Sequence, residues 1–398
     1  MQKSISQAAI TWRLILSGFI IISLISCEEP NSVGGQFVGG SNLRFDTLLV
    51  SDFTQLNESV YSGNLRYAPI GKFNDPLFGE TKSISFIKPQ ISTLNFQDSV
   101  DENYQLRLEL RINTNLSTGN INNQVNFDIF PVSEFWRGNS VFSDSEIAID
   151  SSRSYGSFSQ FDEDSIVVDL SEELLLELAT YINNESDNAD SLYSYDFNGF
   201  AIVPRDGDAR IIFPDMFESS FFIVSPDEDT TSFSAKSHAF TSERTNPNTY
   251  PNRLYLNGFY ENFYRMSFED ALPEYDQLNL LKAEFLVYED ITQVQALSPN
   301  FRTRTEVNFL ELKSATDTDF IYELQFTPVE FFGSRDTLNN GFRFNMTEHI
   351  NQYFFTEPSE KSLYFTINPG GGIMRSTLLY DHTSNDSLKP KLILTFSE

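Results

Sequence analysis

QLRLELRI, residues 105–112, alternates polar and apolar side chains without a break. Because successive side chains of a β-strand point to opposite faces of the sheet, this period of two predicts a strand with one buried face. The same alternation recurs in VNFDIF at 125–130 and in KLILTF at 391–396. Clusters of Asn, Asp, Gly and Ser, which favour turns, separate such segments. The sequence therefore predicts a mainly β protein.

Two segments depart from this alternation and have helical spacing instead. The sequence DLSE at 169–172 precedes an apolar stripe formed by Leu174, Leu175, Leu178, Ala179 and Ile182. An Asp followed three residues later by a Glu resembles a capping box, which predicts a helix with Asp169 at its N-cap. NMTE at 345–348 precedes Ile350 and Phe354 in the same arrangement, and predicts a second helix.

The segments that surround the two helices have the same order. LRLELRIN at 106–113 lies upstream of the first helix, and LKAEFLVY at 281–288 lies upstream of the second. The segments downstream, 197–213 and 361–380, each have a strand pattern, a Pro- and Gly-containing turn and a second strand pattern. This common order predicts an internal duplication.

The predicted fold consists of two duplicated jelly-roll-like β-sandwich modules, each with one short helix. The first module spans residues 43–226 and the second spans 227–398, because SPDEDTT at 225–231 is acidic, contains Pro and has no apolar period. The alternative is one large sandwich that both repeats form together.

Composition excludes several classes of protein. The 398 residues include 56 acidic and 27 basic side chains and carry a net charge of −29, which opposes binding to nucleic acid. The chain contains 38 Phe and 17 Tyr, whereas disordered chains have few aromatic residues. Its one Cys allows no internal disulfide, so folding depends on apolar burial.

The N-terminal residues have the features of a secretory signal. Lys3 and Arg13 precede an apolar run, residues 14–25, which is shorter than the roughly 20 residues that span a bilayer. LISC at 24–27 resembles the bacterial lipobox, so we expect a signal peptide at 1–26 and an acylated Cys27 that inserts into the lipid bilayer. The alternatives are an ordinary signal peptide and a buried helix.

The residues after Cys27 predict a flexible tether over 27–42, because they contain Pro and Gly and have no apolar period. Glu28 and Glu29 resemble the surface-export signal of lipoproteins in the Bacteroidetes, and a generic polar spacer is the alternative. The expected location is the outer membrane, with the protein lipid-anchored and facing the cell exterior.

Three stretches resemble one known family. IGKFNDPLFGET at 70–81, RLYLNG at 253–258 and LKAE at 281–284 are similar to motifs of the Bacteroidetes lipoprotein family called domain of unknown function 4270. The chain departs from that pattern at 259–262, where FYEN replaces the usual second glycine. The resemblance implies an outer-membrane location and a β architecture, with a weaker likeness to carbohydrate-binding jelly-roll modules, and it implies no particular activity.

Within the first motif, Asn74, Asp75 and Pro76 with Gly79 predict a turn between strands, because Asn and Asp side chains bond nearby backbone and Pro restricts φ. A ligand site is the alternative. Residues 370–372, three consecutive glycines, also predict a turn between strands.

No catalytic or cofactor motif is present in the sequence. His238, His349 and His382 are far apart and lack metal-ligand spacing, so we expect no catalytic residue and no metal ligand. The acidic clusters 162–164 and 227–229 could hold calcium through oxygen ligands, although neither has EF-hand spacing. Solvated surface charge is the alternative interpretation of both clusters.

One tripeptide pattern, Asp-Ser/Thr followed by an apolar residue or Thr, recurs along the chain. It resembles an O-glycosylation acceptor of the same phylum, and it is also an ordinary way for a strand of an acidic protein to begin. The candidate acceptors are Thr47, Ser99, Ser165, Ser191, Thr230, Thr337 and Ser387.

These features favour a non-catalytic binding or accessory protein whose partner is a surface glycan or an outer-membrane β-barrel protein. The alternative is a surface polysaccharide hydrolase that uses two carboxylates placed by the fold. Phe outnumbers Tyr, and Trp136 is the one Trp that follows the signal, which favours core packing over an exposed sugar platform.

Overall fold

The computed structural model describes residues 43–397 except for 58, 76–77, 92–93, 95, 97, 187, 206, 208–209, 246–248, 259–262, 269–278, 293–300, 303–306, 317–328, 356–360 and 369. The predicted signal peptide, Cys27 and the tether lie outside the described residues. Within these residues, no helix has both the length and the apolar character needed to cross a membrane.

The protein is mainly β, as predicted. The strands of the first part of the chain are β1 Leu43–Leu56, β2 Ile70–Asp75, β3 Gly79–Pro89, β4 Gln105–Arg111, β5 Thr118–Asn120, β6 Val125–Pro131, β7 Gly156–Gln160, β8 Ser165–Asp169, β9 Phe200–Pro204, β10 Arg210–Ile212 and β11 Ser220–Val224. The later strands are β12 Thr230–Phe233, β13 Ala235–Thr245, β14 Arg253–Asn257, β15 Phe263–Phe268, β16 Asn279–Tyr288, β17 Phe301–Arg302, β18 Phe309–Thr316, β19 Val329–Asp336, β20 Gly341–Asn345, β21 Lys361–Thr366, β22 Ser376–Tyr380 and β23 Lys391–Ser397. The helices in the described residues are α1 Glu172–Ile182, α2 Ala189–Asp196 and α3 Thr347–Phe355.

Seven strands of the second half, together with β1 from the start of the described chain, form a closed antiparallel barrel in the order β1-β15-β21-β18-β19-β20-β16-β23. Their alternating side chains fill its interior, where Phe285, Leu312 and Leu394 are fully buried. Closure leaves none of these strands with an unpaired edge, which removes the usual route to edge-to-edge association.

Strands of the first half form two sheets that enclose a second core. One sheet has the order β12-β11-β4-β8, and the other contains β10-β2-β3-β9-β6-β7 with β13 paired to β3. Leu108 on the small sheet and Phe127 and Ile202 on the large sheet belong to the same buried cluster. The first half is therefore a sandwich, whereas the second half closes into a barrel.

The two halves have the same strand connectivity, as the predicted duplication requires. β4 lies between β8 and β11, and β16 lies between β20 and β23. β9 joins β3 to β6 in the first half, and β21 joins β15 to β18 in the second. The halves differ in two places. β19 pairs with β20 while their equivalents β7 and β8 remain in separate sheets, and β2 pairs with β3 while β14, the equivalent of β2, forms a separate two-stranded sheet with β22.

The first strand belongs to the opposite half of the molecule. Residues 43–49 of β1 pair with β23, and residues 50–56 pair with β15. In the first half the equivalent partners are β12, which pairs with β11, and β13, which pairs with β3. Strand pairing therefore divides the chain differently from the predicted modules 43–226 and 227–398. The physical reason is that β15 and β23 need a neighbour at their edges, and β1 supplies one.

The helices differ from the sequence prediction in two respects. Ser171, not Asp169, is the N-cap of α1, because its Oγ accepts a hydrogen bond from Leu174 N at 3.3 Å. Asp169 ends β8, and its carboxylate pairs with Arg107 at 2.9 Å. The first half also contains α2, which the sequence did not predict because it has no apolar stripe and buries only Tyr193.

The glycine turn is present, and the described residues of the first predicted turn are consistent with it, while Pro76 lies outside the described residues. The carboxylate of Asp75 accepts a hydrogen bond from Phe78 N at 3.1 Å, and Gly79 has a φ of 87°. Gly371 O accepts a hydrogen bond from Tyr67 N at 2.8 Å, so the glycine turn lies against the first half. Gly372 has a φ of 90°, and a Cβ there would lie 2.2 Å from Tyr67 O, so only glycine fits this contact.

Candidate functional site

An exposed pair of stacked aromatic rings lies on the surface of the first half. Phe135 is 46% exposed and Tyr195 is 59% exposed. Their ring centroids are 5.7 Å apart and their planes differ by 20°. Single exposed apolar residues are normal on a protein surface, whereas a contiguous exposed aromatic surface marks an interaction site more often.

Buried neighbours hold both rings in position. Next to Phe135, Trp136 is buried against Phe86, and its Nε1 donates a hydrogen bond to Asn198 O at 2.7 Å. Tyr193 of α2 is also buried, and Tyr195, two positions later, lies on the other side of that helix. Each exposed ring is therefore adjacent in sequence to an anchor in the core.

Three cations lie near the segments that carry the aromatic pair. The Arg137 guanidinium lies 5.3 Å from the centroid of the Phe135 ring. Lys236 Nζ donates a hydrogen bond to Ser194 Oγ at 2.6 Å, and Lys88 Nζ donates one to Ser194 O at 2.9 Å. Both lysines also lie about 5 Å from the centroid of the Tyr193 ring, at 5.2 Å and 5.1 Å. We call the exposed residues Phe135, Arg137, Tyr195 and Lys236 the aromatic–basic patch; Lys88 is buried beside it.

The two lysines repel each other. Burial and the charge of Lys236 lower the pKa of Lys88 from 10.5 to about 8, and Asp196 acts in the opposite direction. Within the part of the chain that the structure describes, Lys88, Arg137 and Lys236 form no ion pair with a carboxylate. This is notable in a chain with twice as many acidic as basic residues.

A groove with an acidic rim lies on the large sheet, on the same side as the aromatic–basic patch. Its volume is about 640 Å³, and β3, β13 and the loop 134–149 form its walls. Ile84, Ile147 and Ile149 contribute apolar surface to it. The carboxylates at its rim belong to Glu134, Asp144, Glu146 and Glu243.

Two of these carboxylates already have structural partners. Glu134 Oε1 accepts a hydrogen bond from Ala148 N at 2.6 Å, and Asp144 accepts one from the hydroxyl of Ser59. Glu146 and Glu243 are therefore the better candidates for chemistry in this groove.

A smaller pocket of about 150 Å³ includes Lys72, Arg205 and Arg210 in its lining. Each of these cations has an acidic partner: Lys72 pairs with Glu80 at 3.2 Å, and Arg205 pairs with Asp128 at 2.6 Å. The fully buried Arg210 lies 3.5 Å from Asp162 and also donates a hydrogen bond to Gln160. Acceptors of the protein itself therefore already bind these cations, unlike the cations of the aromatic–basic patch.

The structure does not bring the three histidines together. His238 is buried, which lowers its pKa, and its Nε2 lies 2.6 Å from Leu65 O. His349 Nδ1 lies 3.0 Å from Glu330, while His382 packs near Phe53. Among the described residues, no group of three or more His, Cys, Asp or Glu side chains could hold a metal ion. Calcium binding by 162–164 or 227–229 stays a prediction.

The candidate glycosylation acceptors lie at the surface. Ser165 is half-buried on β8, and the other candidates, Thr47, Ser99, Ser191, Thr230, Thr337 and Ser387, are exposed. A glycan can be attached only to an accessible hydroxyl, so this exposure is compatible with the predicted modification, which itself stays a prediction.

Comparison with protein-family models gives no match, and no curated protein is similar to the chain. The resemblance to the family of unknown function therefore stays a proposal.

Sequence reasoning did not identify the aromatic–basic patch, because it treated the aromatic residues as core material. One local signal was present: EFWRG at 134–138 places two aromatic residues and an Arg in a segment without strand alternation. Nothing in the sequence indicated that Tyr195 and Lys236 lie beside it, since they are distant along the chain.

Proposed function

We propose that this protein is a non-catalytic glycan-binding lipoprotein, anchored in the outer membrane through acylated Cys27 and exposed at the cell surface. We also propose that it is a divergent member of the domain of unknown function 4270 family. The observation that supports glycan binding is the exposed, stacked pair Phe135 and Tyr195.

An aromatic pair of this kind suits a sugar ligand. The C–H groups on one face of a sugar ring form an apolar surface that packs against an aromatic face, and the tyrosine hydroxyl adds a polar contact. The buried neighbours Trp136 and Tyr193 keep the rings in place, so little conformational entropy is lost on binding. Binding through a rigid pre-formed surface requires no catalytic group.

The proposed anchor is compatible with the start of the described structure. Leu43, the first residue of β1, pairs with Ser397 at the end of β23, so the chain enters the barrel beside its last strand. A flexible segment of the length of 27–42 spans roughly 20 Å, which would hold the folded protein close to the bilayer. Multiple acyl chains on Cys27 would provide stable attachment, whereas one chain binds only marginally.

Glycan binding can be tested with the soluble chain that begins after Cys27. Isothermal titration against oligosaccharides prepared from bacterial surface glycans and plant cell walls should identify a ligand. F135A/Y195A should weaken its affinity about tenfold or more. The matched control is F309A/F332A, which removes two aromatic rings that are each 60% exposed on the barrel. Equal affinity of the two double variants would contradict the proposal.

The anchor has its own test. Inhibition of the lipoprotein signal peptidase with globomycin should cause the uncut precursor to accumulate, and C27A should likewise remain uncut and carry no acyl chain. Normal processing in the presence of globomycin would exclude the lipoprotein assignment without affecting the proposal of glycan binding.

The acidic groove supports one alternative function, a polysaccharide hydrolase that uses Glu146 and Glu243 as its carboxylate pair. Release of reducing ends from a bound polysaccharide, abolished in both E146Q and E243Q, would favour the hydrolase. Binding without release would favour the non-catalytic function.

A further inference from the structure

We propose that the aromatic–basic patch selects acidic sugars, that is, sugar rings carrying a carboxylate or a sulfate ester. This inference rests on the proposed glycan binding and adds the class of ligand. Its basis is that Arg137 lies over Phe135 and Lys236 bonds the residue next to Tyr195, and that neither cation has a carboxylate partner among the described residues.

The contacts within the patch are continuous. Arg137 lies against the Phe135 ring, Phe135 stacks on Tyr195, and Lys236 contacts Ser194, the residue that precedes Tyr195. Arg137 therefore adjoins the Phe135 end of the aromatic surface, and Lys236 is bonded to the residue that precedes Tyr195. A sugar ring on the aromatic surface would place an acidic substituent within reach of a guanidinium or an ammonium group.

Several other cations of this chain pair with carboxylates. Arg153 pairs with both Glu173 and Glu177, at 2.8 Å and 3.3 Å. Arg343 pairs with both Glu284 and Asp336, at 3.1 Å and 3.0 Å. With 56 acidic residues available, cations commonly find carboxylate partners, whereas those around Ser194 and Phe135 have none in the described chain.

The position of Lys88 strengthens this argument. It is buried beside Lys236, and both ammonium groups bond the same residue, Ser194. Two like charges held close together raise the free energy of the unliganded protein. Asp196 already offsets part of this repulsion. An anion bound next to Lys236 would offset more of it, since opposite charges attract more strongly near a low-dielectric surface than in water.

The aromatic and the basic components have separate roles in this arrangement. Phe135 and Tyr195 would recognise a sugar ring whether or not it is charged, and Arg137 and Lys236 would discriminate between acidic and neutral rings. The net charge of −29 repels anions at long range, but this repulsion is screened beyond about 8 Å at physiological salt. The local cations therefore decide the selectivity.

The test compares ligands that differ only in charge. An oligogalacturonate, its uncharged methyl ester and a sulfated galactan oligosaccharide are titrated into the wild-type protein at physiological salt. At least one acidic ligand should bind about tenfold more tightly than the methyl ester. Preference for the carboxylated or the sulfated ligand identifies the acidic group.

Two variants test the residues. R137Q and K236Q should each weaken binding of the acidic ligand severalfold more than binding of the methyl ester, so that the preference for the acidic ligand falls. K391Q is the matched control, because Lys391 lies 5.4 Å from the Tyr288 ring on the barrel and should not affect the preference.

The outcomes separate the inference from the proposed function. If the acidic ligands and the methyl ester bind equally and F135A/Y195A weakens all of them, glycan binding is supported and the inferred selectivity for acidic sugars is wrong. If the acidic preference persists unchanged in R137Q and K236Q, the assigned residues are wrong. If none of the three ligands binds, the inference is overturned, and the proposed function depends on the wider oligosaccharide panel.

Discussion

Phe78 and Tyr255 stack with their ring centroids 4.4 Å apart and their planes 21° from parallel. Phe78 follows the turn of the first motif that resembles the family of unknown function, and Tyr255 lies in the second motif on β14. Arg244 adds to this contact, because it donates a hydrogen bond to Phe78 O at 2.8 Å and lies over the Tyr255 ring. The two motifs therefore meet where the halves of the molecule pack together.

This stacking predicts a structural role for Phe78. Because Phe78 is 2% exposed, F78A should lower the free energy of unfolding by about 3 kcal/mol, mostly through the cavity that it leaves. Urea denaturation measures this change. F309A, at a ring that is largely exposed, serves as the control and should change stability by less than about 0.5 kcal/mol. A similar stability for both variants would refute the packing role.

Strand β1 should stabilise the barrel and not the sandwich. Removal of residues 43–56 takes away one of the two partners of β15 and of β23, so each of these strands has one unpaired edge. Amide hydrogen exchange should therefore speed up in β15 and β23, while β4 and β11 retain their protection. Uniform loss of protection in both halves would show instead that the molecule unfolds as one unit.

Two variants test whether Ser171 or Asp169 caps helix α1. S171A removes the acceptor of the Leu174 N–H and should cost about 1 kcal/mol of stability. D169A removes only an exposed ion pair with Arg107, so we expect a loss below about 0.5 kcal/mol. Thermal denaturation of the two variants provides the comparison, and the reverse order would restore Asp169 as the cap.

Lys88 should make stability depend on pH. Burial and Lys236 lower its pKa from 10.5 to about 8 in the folded protein, so between these values the unfolded chain binds more protons. The free energy of unfolding therefore rises as pH increases from about 8 towards 10.5, because the destabilising charge of Lys88 is lost. Below pH 8 this destabilisation is fully present. Lys236 from β13 and Asp196 from α2 are the charged groups that act on it.

K88M removes the buried charge, and it should stabilise the protein at neutral pH by about 2 kcal/mol relative to wild type. The difference between K88M and wild type should shrink as pH rises above 8, which urea titrations at several pH values can measure. K391M, at a lysine on the barrel, should show no such trend. A constant difference between K88M and wild type across this range would exclude a pKa near 8.

The sequence predicted the local structure well where one face of a segment is buried. The alternation in 105–112 became β4, and the apolar stripe after Ser171 became α1. The duplication was also visible, because both copies keep the same order of local patterns. α2 was missed because it buries a single aromatic residue, Tyr193, and so has no periodic signal.

The candidate site was not predictable from the sequence. Its residues come from the loop after β6, from α2 and from β13, and no local pattern relates these segments to one another. The sequence identified Trp136 as the one tryptophan after the signal, yet the exposed ring belongs to its neighbour Phe135. Which of two adjacent aromatic residues faces the solvent depends on the sheet against which they pack.

By itself, the sequence determined the class of fold and the order of its local patterns, because periodicity and short motifs act over a few residues; the signal at Cys27 stays a prediction. Only the tertiary structure decided that β1 completes the distant half of the chain and that Lys236 bonds Ser194, the residue before Tyr195. Such pairings depend on which strand edges remain unpaired and which surfaces can be buried together. Those conditions are properties of the whole folded chain, and the sequence of a local segment does not determine them.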